Sequence, residues 1–267
     1  MGVEVDALLQ GTVRMIAWLS HHLPTEIETI NGIPGKYRGG AEMSDARYLE
    51  AAPHEVKVFS PDQWEEVMDA DKLIITGTDL LTDEAMTQLA TKNPVVMVHH
   101  KQTRTPARQT LINSASKFIC RTPRHLEIEL EWTQPKATTW VLSSFDTSEF
   151  QSKPKEEFAL WAARLHRQKG PDNALRWAEE NRIPLVMYWN KPREQVLETM
   201  ARAKHFVFLP NDFDAESRVV IEAVLSGCQV HLNDQVGISS VSDWNNPEIL
   251  LELVNSSASK FWTEALA

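Results

Sequence analysis

Long apolar runs are missing from this 267-residue chain. Runs such as those at 94–98 and 206–210 fall far below the ~20 residues that span a bilayer. The opening Met-Gly-Val-Glu-Val-Asp has neither the basic start nor the apolar stretch of a secretory signal. Cysteine is scarce, with Cys120 and Cys228 alone, which excludes a disulfide framework and fits a reducing compartment. The expectation is a soluble, cytoplasmic protein. Positive charge is also short: 27 Lys+Arg face 37 Asp+Glu, a net −10. That argues against a protein that coats nucleic acid generally. Ten glycines and 14 prolines exclude collagen-like and low-complexity chains. No heptads and no repeat with a period of about 20–50 residues stand out.

What is present is an alternation. Strand-like runs at 15–19, 56–59, 72–76, 95–98 and 117–120 are separated mostly by helix-length segments. This is the pattern of parallel βαβ units. It pauses at Ser143-Ser-Phe-Asp-Thr-Ser148 and Gln151-Ser-Lys-Pro-Lys155, a polar linker. It restarts at 158–163 and continues with strands at 185–188, 205–209 and 229–232 and helices near 173–180, 193–202 and 218–226. The expectation is an α/β fold of two tandem Rossmann-like domains, residues 1–148 and 149–267, with a ligand in the cleft between them.

Two segments carry chemistry. In Arg164-Leu-His-Arg-Gln-Lys169-Gly170, cations stand at a strand's carboxyl end and a helix N-terminus, which suits a diphosphate. A charged surface loop has the same composition. In Asp214-Ala-Glu-Ser-Arg218-Val-Val-Ile-Glu222, Asp214 falls in the loop after a strand and Glu222 on the next helix. A carboxylate so placed can accept hydrogen bonds from ribose hydroxyls. Glu216 reads as part of a solvated helix face. Asp212 and Asp214 have metal-pair spacing, but no metal is expected.

Together the segments resemble the retaining glycosyltransferases of family four, whose architecture is called GT-B. Ala163-Arg164-Leu165 with Lys169-Gly170 matches the spacing of the family's Gly-Arg-Leu…Lys-Gly. Asp214, Glu222 and Ala223 after Pro210 fall on its Glu-x7-Glu-Ala signature. Ser226-Gly227-Cys-Gln-Val230, Leu142-Ser-Ser-Phe-Asp146, Gly39-Gly40-Ala41-Glu42 and Pro94-Val-Val-Met-Val-His99 look like further family segments. The resemblance implies an acceptor-side first domain and a nucleotide-sugar-binding second domain. Arg164 and Lys169 would hold the donor diphosphate, Asp214 the transferred sugar and Glu222 the ribose. Gly39 and Gly40 would let backbone N–H groups approach the donor. His99, with His100 as rival, would stand near the reacting sugar. The co-substrate is a nucleotide-diphosphate sugar, with no cofactor and no metal. Departures from the pattern are Asp214 for Glu and Ala215-Glu216-Ser217 for Gly-Phe-Gly. Arg218 follows as an extra donor to the phosphates. Segment 185–203 has the length of one that has lost a βα unit.

Residues 91–125 contain no Asp or Glu, but hold Lys92, Lys101, Arg104, Arg108, Lys117, Arg121 and Arg124. A free basic surface there would favour a polyanionic acceptor, DNA included. The plainer reading pairs these cations with Glu127, Glu129 and Glu131. Trp161, Trp177 and Trp189 read as core. His21-His22 and His99-His100 are adjacent pairs, which a strand would point to opposite sides. Two alternatives accompany the sugar-transfer reading. One is a DNA glycosyltransferase acting on a hydroxylated base. The other is a non-catalytic subunit that keeps the fold.

Overall fold

The computed structural model describes residues 15–21 and 40–267. Gly39 and His22 lie outside the described residues. Six parallel strands form the first sheet: β1 (Ile16–Ser20), β2 (Val56–Phe59), β3 (Lys72–Thr76), β4 (Val95–Met97), β5 (Lys117–Cys120) and β6 (Thr138–Trp140), in the order β2-β1-β3-β4-β5-β6. A second parallel sheet follows, with β7 (Glu156–Ala162), β8 (Leu185–Tyr188), β9 (Ala203–Phe208) and β10 (Gln229–Leu232) in the order β10-β9-β7-β8. The helices are α1 (Gly40–Glu50), α2 (Asp83–Ala90), α3 (Pro106–Ser114), α4 (Pro123–Leu130), α5 (Pro171–Asn181), α6 (Arg193–Arg202), α7 (Arg218–Leu225) and α8 (Pro247–Leu266). Among the described residues no helix is long and apolar enough to cross a membrane.

Strands covered on both faces read as unbroken apolar runs, and Ile16, Ala17, Trp18 and Leu19 are all buried. One face of the first sheet packs Ala17, Leu19, Ile75 and Val96 against α2 and α3 residues such as Leu89 and Leu111. Helix starts are set locally. The hydroxyls of Thr82, Thr105 and Thr122 accept backbone N–H bonds at the heads of α2, α3 and α4, satisfying donors that no helical carbonyl reaches. Pro follows directly in the last two, where its missing N–H costs nothing.

The strands at 56–59, 72–76, 117–120, 185–188 and 229–232 lie where the sequence puts them. Two elements were not expected: the three-residue edge strand β6 and the 20-residue α8. Helix α8 joins both cores. Its Leu250 and Val254 pack with second-sheet residues such as Phe206 and Val220. Its Phe261 and Trp262 cover the other face of the first sheet, beside Trp18 and Tyr48. Phe261 stacks on Tyr48 with ring centroids 4.6 Å apart, and the Trp262 indole N–H donates to the Tyr48 carbonyl at 2.7 Å. Trp161 is buried and Trp177 packs beside it, as expected of core residues. Trp189 is not core, being 43% exposed at the end of β8. The chain leaves the edge of the sheet there.

Removing the Phe261 ring leaves a cavity between α8 and the first sheet. Phe261→Ala should therefore lower unfolding free energy by about 3–5 kcal/mol in urea titration. Leu251→Ala, at an exposed position of the same helix, should stay within about 0.5 kcal/mol of the parent.

Candidate functional site

Loops leaving the carboxyl ends of both sheets meet. On the second-sheet side Arg164 stands exposed just past β7, and a short turn, Arg167–Lys169, leads to α5. Gly170 closes that turn with φ +65°, and a Cβ there would lie 1.9 Å from the Leu209 carbonyl oxygen. Only glycine permits this approach. The turn is thereby held against the end of β9, where the Asn211 N–H donates to the Gln168 carbonyl at 2.9 Å. Lys169 is thus delivered to Asp214, with Nζ 2.6 Å from Oδ2. Asp214 is fixed through its backbone, by N–H to Gln235 O at 2.8 Å and by Gly237 N–H to its own carbonyl at 2.7 Å.

Glu222, buried on α7, accepts from Arg193 Nη1 at 2.6 Å, and Arg193 also holds Glu149 at 2.8 Å. Arg193 opens α6 after β8, a position equivalent to that of the Lys169 turn after β7, and the sequence reading passed it over. Arg218 crosses to the other side. Its Nη1 donates to Ser44 Oγ at 2.9 Å and to the Ser144 carbonyl at 3.2 Å, and its guanidinium lies 3.9 Å from the Phe145 ring centroid. Burial pulls the Arg218 pKa down to about 10, against the pull of Glu222 and Glu216. A Cβ on Gly40 would come within 2.8 Å of Arg218 Cδ, so Gly40 makes room for this side chain. Asp212 is exposed.

On the first-sheet side His99 follows β4, and its Nε2 lies 2.9 Å from Asp45 Oδ1. Asp45 is wholly buried and also accepts from Thr76 Oγ1 at 2.6 Å. Thr76 Oγ1 in turn accepts the Trp18 indole N–H at 2.8 Å. Asp45 thus fixes the His99 ring, a role the sequence did not signal. Burial lowers the His99 pKa despite the opposing pull of Asp45. His100 is half exposed and pairs with Asp79 at 2.9 Å.

One expectation needs correction. Glu216 is not on a solvated face: it is 5% exposed, and its carboxylate accepts both the N–H and the hydroxyl of Ser143. It lies 3.6 Å from Nε of Arg121, which is 1% exposed. The basic window follows the plainer reading, in which its cations are paired or buried. Arg121 and Arg108 are buried. Lys117 pairs with Glu264, Arg104 with Glu131 and Arg124 with Glu127. Lys92, half-buried, and Lys101, exposed, are the remainder without such pairs among the described residues.

No family model matches the sequence, and no curated protein does. Solved structures match across nearly the whole fold. HepE of Anabaena, solved with UDP, is 14% identical at a TM-score of 0.55, covering 94% of each chain. AviGT4, a glycosyltransferase involved in avilamycin A biosynthesis, is 14% identical at 0.59, covering 94% of this chain and 92% of its own. Sucrose-phosphate synthase of Thermosynechococcus elongatus is 12% identical at 0.59, covering 95% and 92%. The fold is therefore one that GT-B glycosyltransferases have.

The His99 shift has a signed consequence. Its folded pKa lies below its unfolded value, so the unfolded chain binds the proton more readily. Stability should fall as pH drops through about 6.5, the ordinary histidine value. Denaturant titrations between neutral and acid pH should show this slope, and His99→Gln should make it shallower.

Proposed function

We propose that the chain is a glycosyltransferase that moves a sugar from a nucleotide-diphosphate sugar to an acceptor hydroxyl with retention of configuration. It would work in the manner of family four, with residues 1–148 on the acceptor side and 149–267 on the donor side. The observation that carries this reading is the Lys169–Asp214 contact at 2.6 Å. It brings together the two segments that match the family pattern, 45 positions apart, within a fold shared with glycosyltransferases.

The roles follow from charge and placement. Arg164 and Lys169 hold the diphosphate and stabilise it as negative charge grows on the leaving oxygen, where fixed cations matter most. Asp214 accepts hydroxyls of the transferred sugar, and Glu222 accepts those of the ribose. Arg218 adds a cation at the start of α7, while Gly40 keeps space beside it. His99, oriented by Asp45, is neutral near pH 7 and stands at the reacting sugar. The bond from the anomeric carbon to the diphosphate breaks and one to the acceptor oxygen forms. The acceptor's proton passes to the departing diphosphate, so no metal and no covalent enzyme intermediate is needed. Before the donor arrives, Lys169 and Asp214 neutralise each other, as do Arg193 and Glu222. Binding exchanges these internal pairs for pairs with phosphate and hydroxyls.

The DNA reading rested on the basic window, whose cations are mostly paired or buried. The non-catalytic reading rested on the Ala215-Glu216-Ser217 departure and is separated by turnover.

Calorimetry with UDP, GDP, ADP and dTDP and their common sugars should show micromolar binding of one nucleotide family, lost in Arg164→Ala. Lys169→Ala should cut donor turnover by about 10²–10³-fold. A Lys169→Ala protein as active as its parent would sink the assignment, and binding without any turnover would favour the non-catalytic reading.

A further inference from the structure

We propose that Arg121 and Glu216 are positioning residues: a buried guanidinium–carboxylate latch through which the first sheet sets the place of the 213–217 loop on the second. The proposal rests on the donor-site reading, because that loop carries Asp214 and leads into Arg218 and Glu222.

A charge is seldom buried unless it is paired and hydrogen-bonded. Arg121 meets that condition through both Nη atoms, which reach several places at once, while its Nε makes only the 3.6 Å ion-pair contact with Glu216. Its Nη1 donates to Tyr48 Oη at 3.1 Å, and its Nη2 donates to Ser44 Oγ at 3.1 Å and to the Ser143 hydroxyl. Ser143 passes the connection on, since its hydroxyl and backbone N–H both donate to Glu216. The guanidinium is thus tied to α1, to the linker after β6 and to the loop before α7. A planar fork makes this possible, and a lysine ammonium could not span the same partners.

Neighbouring contacts reinforce the grip. The Thr122 hydroxyl caps α4 and also donates to the Ala215 carbonyl at 2.7 Å. The His125 ring lies 6.1 Å from that of Phe213. The Arg124 N–H donates to Ser240 Oγ at 3.0 Å. Phe213, Ala215 and Glu216 are therefore each held from the first-sheet side. Ser217 then enters α7 with φ +62°, in the left-handed region where a non-glycine residue costs about 1–3 kcal/mol. Such a conformation persists only when its surroundings over-determine it, and the latch supplies that constraint. Where the family pattern has a permissive Gly-Phe-Gly, this chain holds a stiffer loop from across the sheet boundary.

A general stabilising pair and a positioning pair differ in where their loss is felt. Hydrogen-exchange mass spectrometry on the full chain, paired with UDP calorimetry, separates them. In Glu216→Gln and in the milder Ser143→Ala, peptides covering 210–222 should exchange about tenfold faster, while β1 and β3 peptides keep the parent rate. UDP should bind about tenfold more weakly, the range of coupling between neighbouring groups. Lys117→Met, which breaks the remote pair with Glu264, should leave both readouts unchanged. Unchanged loop exchange, or faster exchange spread over the whole chain, would overturn the proposal. If Glu216→Gln does not fold, Ser143→Ala decides. A parent protein that binds no UDP counts against UDP as its donor nucleotide, and loop exchange alone then judges the latch.

Discussion

Tyr48 is wholly buried, and every polar group it carries must find a partner inside the protein. Its hydroxyl donates to the Leu142 carbonyl and accepts from Arg121, its own carbonyl accepts the Trp262 indole, and its ring stacks on Phe261. One residue of α1 is therefore common to the C-terminal helix, the linker after β6 and the buried guanidinium. Removal from water pushes the phenol pKa up to about 12, although Arg121 pulls the other way. The hydroxyl thus keeps its proton and remains a donor throughout the physiological range. The relation of the two sheets depends on this junction, because the contacts that bring their loops together start from side chains it fixes.

Charge at the candidate site is balanced locally. Lys169 faces Asp214, Arg193 faces Glu222, and Arg121 approaches Glu216. Only the last is buried on both sides, so its desolvation cost is the largest and its geometry the most demanding. The Lys169–Asp214 pair is partly open to water, where an exposed pair is worth roughly 0–1 kcal/mol. The division suits a binding site. The Arg121–Glu216 pair is dry and hard to exchange, and the Lys169–Asp214 pair is wet and exchanges at small cost.

Much of the fold was legible because parallel strands buried on both faces leave short, unbroken apolar runs. β6 escaped notice because its Thr-Thr-Trp lies at a sheet edge and is only partly buried. α8 escaped because its apolar positions serve two different cores in turn, and a Ser-Ser-Ala-Ser stretch interrupts them. Spacing picked out Lys169 and Asp214, which meet. The same spacing could not reveal that Glu216 is buried, since its partners Ser143 and Arg121 are far away in sequence. Arg121 stood in a run of cations that reads as solvated surface, and nothing local marks the one that turns inward. Asp45 likewise acquires meaning only through His99, which the fold brings to α1 from the end of β4.

The reach of α8 also bears on how the protein is made. The Trp262 indole and the Tyr48 carbonyl are 214 positions apart, so the rings that cover one face of the first sheet are synthesised long after its strands. Until they arrive, Trp18, Ile74 and Met97 lack their cover. Domains usually complete themselves in order of synthesis, but here the earlier sheet is finished by the latest helix. The nascent chain thus carries an open aromatic face from the emergence of β1 until that of α8, and the arrival of α8, rather than synthesis of β6, lets the first sheet close.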